Sequence, residues 1–289
     1  MNNILKKLND FNELVMFKHS IFSLPFIFIA MVVASVHING TAWFGFKLFF
    51  LGILAALTAR NFAMAFNRYM DRDIDALNPR TINRPNVDGR VSAPQMLIFV
   101  IANALGFIVV AYFVNDLALY LSVPILFVIG SYSYFKRFSY LAHVILGISL
   151  GLAPIAGVVA VSETITLWSV LLSIGVMFWV AGFDLLYSLQ DIDVDKELGL
   201  HSIPSKFGAQ KTMNISKVFH LLTVVFWLLF VISSNGGVFA YLAVLVSAVM
   251  LTYEHILVNR DFTKIDKAFF TVNGYLGIIF FILILIDSF

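Results

Sequence analysis

Runs of apolar residues, separated at intervals by short polar segments, make up most of the chain. A helix needs about 20 mostly apolar residues to cross the hydrocarbon core of a bilayer. Nine stretches satisfy this: 17–38, 43–66, 95–115, 117–135, 140–162, 165–189, 213–233, 238–258 and 268–287. They predict an all-α integral membrane protein of nine transmembrane helices, a single polytopic domain over 1–289 with no room for a separate soluble domain. Ahead of them, MNNILKKLNDFNELV sets Ile4, Leu5, Leu8, Phe11, Leu14 and Val15 at helical spacing among charges, which predicts an amphipathic segment over 1–15 lying on the membrane surface. The alternative, a signal peptide opened by Lys6 and Lys7, is opposed by Asp10 and Glu13, which interrupt its apolar run. Inside the spans, Pro25, Pro124 and Pro154 free backbone carbonyls and bend helices. Gly147 and Gly151 form a GxxxG suited to close helix–helix contact.

Composition excludes the alternatives to a membrane fold. Hydrophobic residues are 60% of the chain and charged ones 12%, with mean hydropathy +0.91 and 30 phenylalanines. An average soluble domain is about 45–50% apolar and about 25% charged. A soluble globule is therefore excluded, and so is disorder, because so much apolar surface does not stay solvated. The absence of cysteine removes disulfides, zinc–thiolate centres and cysteine nucleophiles. The net charge of +2 conceals an asymmetry. Connections after spans two, four, six and eight carry Arg68, Arg72, Arg80, Arg84 and Arg90; Lys136 and Arg137; Lys196, Lys206 and Lys211; Arg260, Lys264 and Lys267. The opposite connections hold Asp116, Glu163 and only one basic residue, Lys47. With Lys6, Lys7 and Lys18 on the basic side, the positive-inside rule predicts a cytoplasmic N-terminus and an external C-terminus.

Two of the basic connections also concentrate carboxylates. NRYMDRDID (67–75) follows span two, and DLLYSLQDIDVD (184–195) closes span six. Asn67, Asp71 and Asp75 are four apart, as are Asp191 and Asp195, so helices continuing through both segments would stack each set on one face. Asp184 precedes Asp191 by seven and shares its face one level deeper. Stacked carboxylates repel unless something positive lies between them. Oxygen ligands without His or Cys suit Mg²⁺, which binds through one or two carboxylates plus substrate phosphates. A lone DxxxD is ordinarily a solvated helix end; two on one side of the membrane point instead to a pair of Mg²⁺ ions clamping a diphosphate.

Cations accompany them. Arg72, Arg80 and Arg84 continue the first loop, and Tyr132, Lys136 and Arg137 lie in SYSYFKR after span four. A polyanionic ligand shared between metals and Arg or Lys would explain acid and base crowding together, although Lys136 and Arg137 taken alone would serve as topology signals. Arg60, seven before Asn67, lies within span two, where an arginine either faces a cavity or snorkels to the interface. His37 and His255 read as interfacial and His143 and His220 as isolated, with no pair at metal-ligand spacing. His201, beyond the second ladder, either helps close the site or structures its loop.

These features resemble the UbiA superfamily of intramembrane aromatic prenyltransferases over nearly the whole chain. The resemblance rests on nine spans, NxxxDxxxD at Asn67, Asp71 and Asp75, YxxxK at Tyr132 and Lys136, DxxxD at Asp191 and Asp195, and the loops NPRTINRP (78–85) and GLHSIP (199–204). It implies that two Mg²⁺ ions, held by Asn67, Asp71 and Asp75 on one side and Asp191 and Asp195 on the other, bind a polyprenyl diphosphate. Arg72, Arg80, Arg84, Lys136 and Arg137 would neutralise the diphosphate as it leaves. The allylic cation would alkylate a hydroxy-aromatic acid beside its hydroxyl, with Asp191 or Asp184 orienting the acceptor or taking the ring proton, and Arg60 and Tyr132 near the acceptor. Further implications are a place in ubiquinone or menaquinone biosynthesis, a multi-pass location in the cell inner membrane, and partners limited to the bilayer and two substrates, with no nucleic acid.

The chain departs from the family pattern where many members read N-D: Arg68 follows Asn67, and Asp73 is an additional acid. A role for an acid at position 68 is not transferable. That form, with His201 where many 4-hydroxybenzoate enzymes have Lys, is closer to the subgroup making menaquinone through futalosine, whose acceptor would be a dihydroxynaphthoate. Other readings are a UbiA-type enzyme with a haem- or chlorophyll-type acceptor, and a transporter. A transporter would need broken helices at the midplane, whereas the Asp ladders sit at the rim. A CDP-alcohol phosphotransferase is excluded because neither loop carries its DG…AR…G…D…D run.

Overall fold

A computed structural model describes residues 2–16 and 24–289. Among these, every regular element is helical: α1 (Asn2–Leu14), α2 (Leu24–Asn39), α3 (Phe46–Met70), α4 (Arg72–Asp75), α5 (Ala93–Val114), α6 (Asp116–Phe135), α7 (Ala142–Ser162), α8 (Leu167–Tyr187), α9 (Ile192–Glu197), α10 (Ile203–Ser233), α11 (Val238–Arg260) and α12 (Asn273–Asp287). Eight helical segments are long and apolar enough to cross a membrane: α3, α5, α6, α7, α8 continued through α9, α10, α11, and α12 with the turns before it. The ninth predicted span is only partly represented, by α2 with 16 apolar residues. Lys18 and the first part of that span, 17–23, lie outside the described residues.

Local chemistry sets the helix ends. Thr166 and Ser202 cap α8 and α10 by accepting from the backbone N–H groups of Ser169 (3.4 Å) and Ser205 (3.2 Å). α10 begins ten residues before its predicted start, but Gly208, at φ +76°, breaks its first turns from the long apolar part. The amphipathic N-terminal segment forms α1. Its Leu5 and Leu8 are exposed, while Phe11 stacks on Phe99 (centroids 4.8 Å apart) and Leu14 is buried with Val91 and Met96.

In lipid, apolar side chains gain nothing by leaving their solvent, so helices associate through close packing and polar contacts. Of the eight long spans, α8 is the most enclosed, packed between α7 and α10. A methyl group on Gly147 would collide with the Met177 carbonyl, and one on Gly151 would come within 2.9 Å of the Ser173 carbonyl. The GxxxG thus makes the close helix–helix contact predicted for it, and its partner is α8. Gly175 and Gly182 admit Trp227 and His220 from α10 in the same way. Phe26, Trp179, Trp227 and Phe280 interleave at the centre, with ring centroids 4.8–6.0 Å apart. Outside, Phe46, Tyr120, Phe127 and Val238 are exposed, as expected of a lipid-facing surface.

Two buried polar clusters were not legible from spacing. His220 is not isolated: its Nδ1 lies 2.9 Å from Nε2 of His255 on α11. The two residues are 35 apart in sequence, and helix packing alone makes them neighbours. Glu254, fully buried, accepts a hydrogen bond from Asn273 Nδ2 (2.8 Å), while Asn273 Oδ1 accepts from Trp179 Nε1 (2.8 Å). A π-helical turn over Lys267–Val272 precedes Asn273 and sets its register. Asn273→Ala strands both partners, at a cost of about 1–3 kcal/mol for each buried group left unpaired. A drop of several degrees in the melting temperature of the detergent-solubilised protein is the expected result; an unchanged melt would count against this cluster as a stabilising element.

Candidate active site

Neither Asp ladder lies on an uninterrupted helix. α3 stops at Met70, yet the Asp71 N–H still donates to the Asn67 carbonyl (2.8 Å) and the Asp75 N–H to the Asp71 carbonyl (2.7 Å). The four-residue stacking therefore survives the change of axis. In the second ladder a single 3₁₀ turn, Ser188–Asp191, joins α8 to α9. Asn67, Asp71, Asp75, Asp184, Asp191 and Asp195 all line one cavity of about 460 Å³.

The loop between α4 and α5 wraps these carboxylates. Asn78 Nδ2 and Arg80 Nε each donate to Asp191 Oδ1 (both 3.1 Å), and Arg80 Nη2 donates to Oδ2 (2.6 Å). Arg80 Nη1 also donates to the Tyr187 hydroxyl (3.0 Å), so the first loop is tied directly to the second ladder. Burial works against the Arg80 charge, but Asp191 more than compensates and holds its pKa above the ordinary arginine value. Asp75 accepts from Arg84 Nη1 (2.8 Å) and Asn86 Nδ2 (2.9 Å), and its backbone carbonyl from Thr81 (2.7 Å). Burial lowers the Arg84 pKa to about 10.

Asp71 is 2% exposed. Its Oδ2 accepts from Asn67 Nδ2 and pairs with Lys136 Nζ, both at 2.8 Å, whereas its Oδ1 is buried and accepts no hydrogen bond. Burial raises the Asp71 carboxyl above its ordinary range, opposed by Lys136. Asp195 accepts from Ser202. Arg60 and Tyr132 also line the cavity, Arg60 donating to the Met16 carbonyl (3.1 Å). Two predicted cations are placed differently. Arg72 donates back to the Tyr69 carbonyl (2.6 Å) and lies over the Tyr69 ring, and Arg137 grips Asp73 (2.6 and 2.9 Å) and the Met70 carbonyl (2.7 Å). Neither lines the cavity. Arg72 lies just past the break at Asp71, and Arg137, past the end of α6, reaches the same corner, its Nη2 3.8 Å from Asp71 Oδ1. Arg137, chiefly through its hydrogen bonds, holds the Asp73 carboxyl down at about 2.

Several lining residues escaped the sequence reading. Arg68, only 7% exposed, donates to Asn67 Oδ1 (3.0 Å). His143, read as isolated, sets its Nδ1 2.7 Å from Asp184 Oδ2; the two are 41 residues apart on α7 and α8, beyond any local pattern. His201 sits outside, its N–H donating to the Lys136 carbonyl (2.7 Å) and its ring against Tyr140. Away from the charged mouth the wall is apolar and runs to the opposite ends of the helices, where Ala111, Val114, Ala118, Ala156 and Ala160 line it. From Lys136 to Ala118 that is a rise of about 27 Å along α6.

The site is thus a charged mouth over a deep apolar channel inside a polytopic helical bundle. The chain belongs to the UbiA prenyltransferase family, whose model matches residues 23–285. A curated relative, the 4-hydroxybenzoate octaprenyltransferase of Salmonella paratyphi C, is 32% identical over 222 residues, covering 75% of this chain and 74% of the relative. The apo structure of a UbiA homologue from Aeropyrum pernix superposes with a TM-score of 0.83 at 31% identity, covering 94% of this chain and 98% of that one. A UbiA homologue from Archaeoglobus fulgidus bound to GPP and Mg²⁺ shares the fold, with a TM-score of 0.72 at 17% identity over 95% and 99% of the two chains.

Proposed function

We propose that this prenyltransferase moves a polyprenyl group from its diphosphate to a ring carbon of a hydroxy-aromatic acid, of the 4-hydroxybenzoate or dihydroxynaphthoate type, in respiratory quinone biosynthesis. The observation that carries the reading is the single cavity in which both Asp ladders and their cations open onto an apolar channel. The name of the Salmonella relative supports an aromatic-acid acceptor. In this reading the helices from α2 onward, apart from short α4 and α9, make nine spans in the cell inner membrane. The basic connections and the mouth then face the cytoplasm.

The donor set fits Mg²⁺. It is all oxygen, and the buried Asp71 Oδ1 accepts no hydrogen bond, with Arg137 Nη2 3.8 Å away as its ion-pair partner. Mg²⁺ takes one or two carboxylates and completes its shell with phosphate and water. Charge leads to the same conclusion. The wall carries Arg60, Arg68, Arg80, Arg84 and Lys136 against Asp71, Asp75, Asp184, Asp191 and Asp195, a formal balance of zero. A diphosphate entering alone would leave the mouth strongly negative. Asn67, Asp71, Asp75, Asp191 and Asp195 would hold two ions, which when bound supply Lewis-acid neutralisation of the departing diphosphate.

The chain's own groups perform the rest. Arg80, Arg84 and Lys136 exchange carboxylate for phosphate oxygens and stabilise the leaving group. Arg72 and Arg137 hold the α3–α4 corner from outside. Arg60 and Tyr132 sit where an acceptor carboxylate and hydroxyl would meet them, and the apolar channel takes the prenyl tail and keeps water from the allylic cation. Purified protein supplied with geranyl diphosphate, Mg²⁺ and both aromatic acids in competition tests the reading. A C-geranylated acid is the expected product, and its identity assigns the acceptor; no alkylation of either acid would overturn the proposal.

Small side chains at the far end set the donor length in this reading. Ala118→Phe or Ala156→Phe should cut turnover of long-chain donors about tenfold or more while geranyl diphosphate turns over normally, because one added ring shortens the channel without touching the mouth. Donor competition resolved by mass spectrometry measures this, and an unchanged preference would exclude that end as a ruler.

A further inference from the structure

The acceptor chemistry requires a group that removes the ring proton. Asp191 is committed elsewhere: Arg80 and Asn78 hold its oxygens in this structure, and in the reading above it is a metal ligand once the diphosphate draws Arg80 away. One turn or two deeper in the same wall, His143 Nδ1 meets Asp184 Oδ2 at 2.7 Å. A carboxylate only accepts, so Nδ1 carries a proton in this contact, and in the neutral imidazole Nε2 is then the acceptor nitrogen. Nε2 is buried and has no hydrogen-bond partner, in a residue 6% exposed that lines the cavity. A lone pair held in a fixed tautomer, buried and unused, is costly in the absence of a ligand.

The geometry points to His143 as the catalytic base for the acceptor, with Asp184 as its positioning residue; the inference rests on the aromatic-prenylation reading above. The donor C–O bond breaks with its electron pair leaving on diphosphate, and a π pair of the ring forms the C–C bond to the allylic carbon. The ring proton at that carbon passes to His143 Nε2, and the C–H pair restores aromaticity. The imidazolium formed is stabilised by the Asp184 carboxylate until the proton leaves to solvent. Asp195 of α9 interacts electrostatically with the base, and Tyr132 and Lys136 at the end of α6 and Arg60 of α3 line the same cavity. The pair at Asp184 is the one that touches the imidazole.

The test uses His143→Gln, which keeps an amide of similar reach but accepts no ring proton, and Asp184→Asn, which removes the orienting charge. Each is assayed for C–C product with ordinary and ring-deuterated acceptor, and for acceptor-independent pyrophosphate release from geranyl diphosphate. His143→Gln should lose about 100-fold in C–C product and show a primary deuterium isotope effect that the wild type lacks, with pyrophosphate release retained. Asp184→Asn should show a smaller loss and the same emergence of an isotope effect. Unchanged product formation in His143→Gln, or a loss without an isotope effect in both variants, would overturn the assignment. If the wild type alkylates no aromatic acid, the aromatic-prenylation reading itself fails; wild-type product with insensitive variants defeats the base assignment alone.

Discussion

Asp71→Asn combined with Asp191→Asn is expected to lower product formation by at least about 10³-fold, while the melting temperature changes little. Each substitution conserves volume and leaves a group that can still hydrogen-bond. Asp71 faces Lys136, which is 30% exposed, so the lost ion pair has a modest stability value after solvent screening. Asp191 faces Arg80, itself 32% exposed and held also by the Tyr187 hydroxyl. The functional loss is far larger because it acts twice. It removes one anionic oxygen donor from each ladder, and it leaves Arg80 and Lys136 without the partners that aim them into the mouth. Either single variant should be weaker than the pair, since two ladders share one head group. Rates of C-prenylation and melting curves on the same preparations decide it, and near-normal product in the double variant would sink the site assignment.

Withdrawal of divalent cations is the second large effect. EDTA should abolish product formation, and excess Mg²⁺ should restore it. Five cationic and five carboxylate side chains cancel in the wall, so the protein alone cannot neutralise a bound diphosphate. Ca²⁺ should restore poorly, because its longer, looser coordination does not hold phosphate and carboxylate oxygens at the same close range. Full activity in EDTA would mean that Arg80, Arg84 and Lys136 carry the leaving group unaided.

The four-residue spacing of Asn67, Asp71, Asp75, Asp191 and Asp195 is legible in the sequence, and the fold brings all five to one cavity. Four-residue steps survive a helix break when the backbone hydrogen bonds carry through, as they do at Asp71. Where Arg72 and Arg137 reach, one to the Tyr69 carbonyl and the other to Asp73 and the Met70 carbonyl, depends on the α3–α4 corner, which spacing does not encode. The roles of Asn78 and Asn86 depend on where the α4–α5 loop folds back, and no periodicity encodes that. His143 with Asp184, His220 with His255, and Glu254 with Asn273 and Trp179 are contacts between different helices. A polar residue in an apolar run announces a partner but not which one. Gly147 and Gly151 are the exception, since a small-residue step on one face specifies a close neighbour.

The central claim is that one metal-assembled mouth ionises a prenyl diphosphate and hands the cation to an aromatic acid in the same cavity. Simultaneous quantification of released pyrophosphate and C-prenylated acid, by purified protein with geranyl diphosphate and the preferred acid, tests it most directly. The account predicts equal amounts of both with Mg²⁺, and neither in EDTA or in the Asp71→Asn, Asp191→Asn variant. Pyrophosphate released by the wild type in saturating acid without any C–C product, or C–C product that persists in that variant, would contradict it.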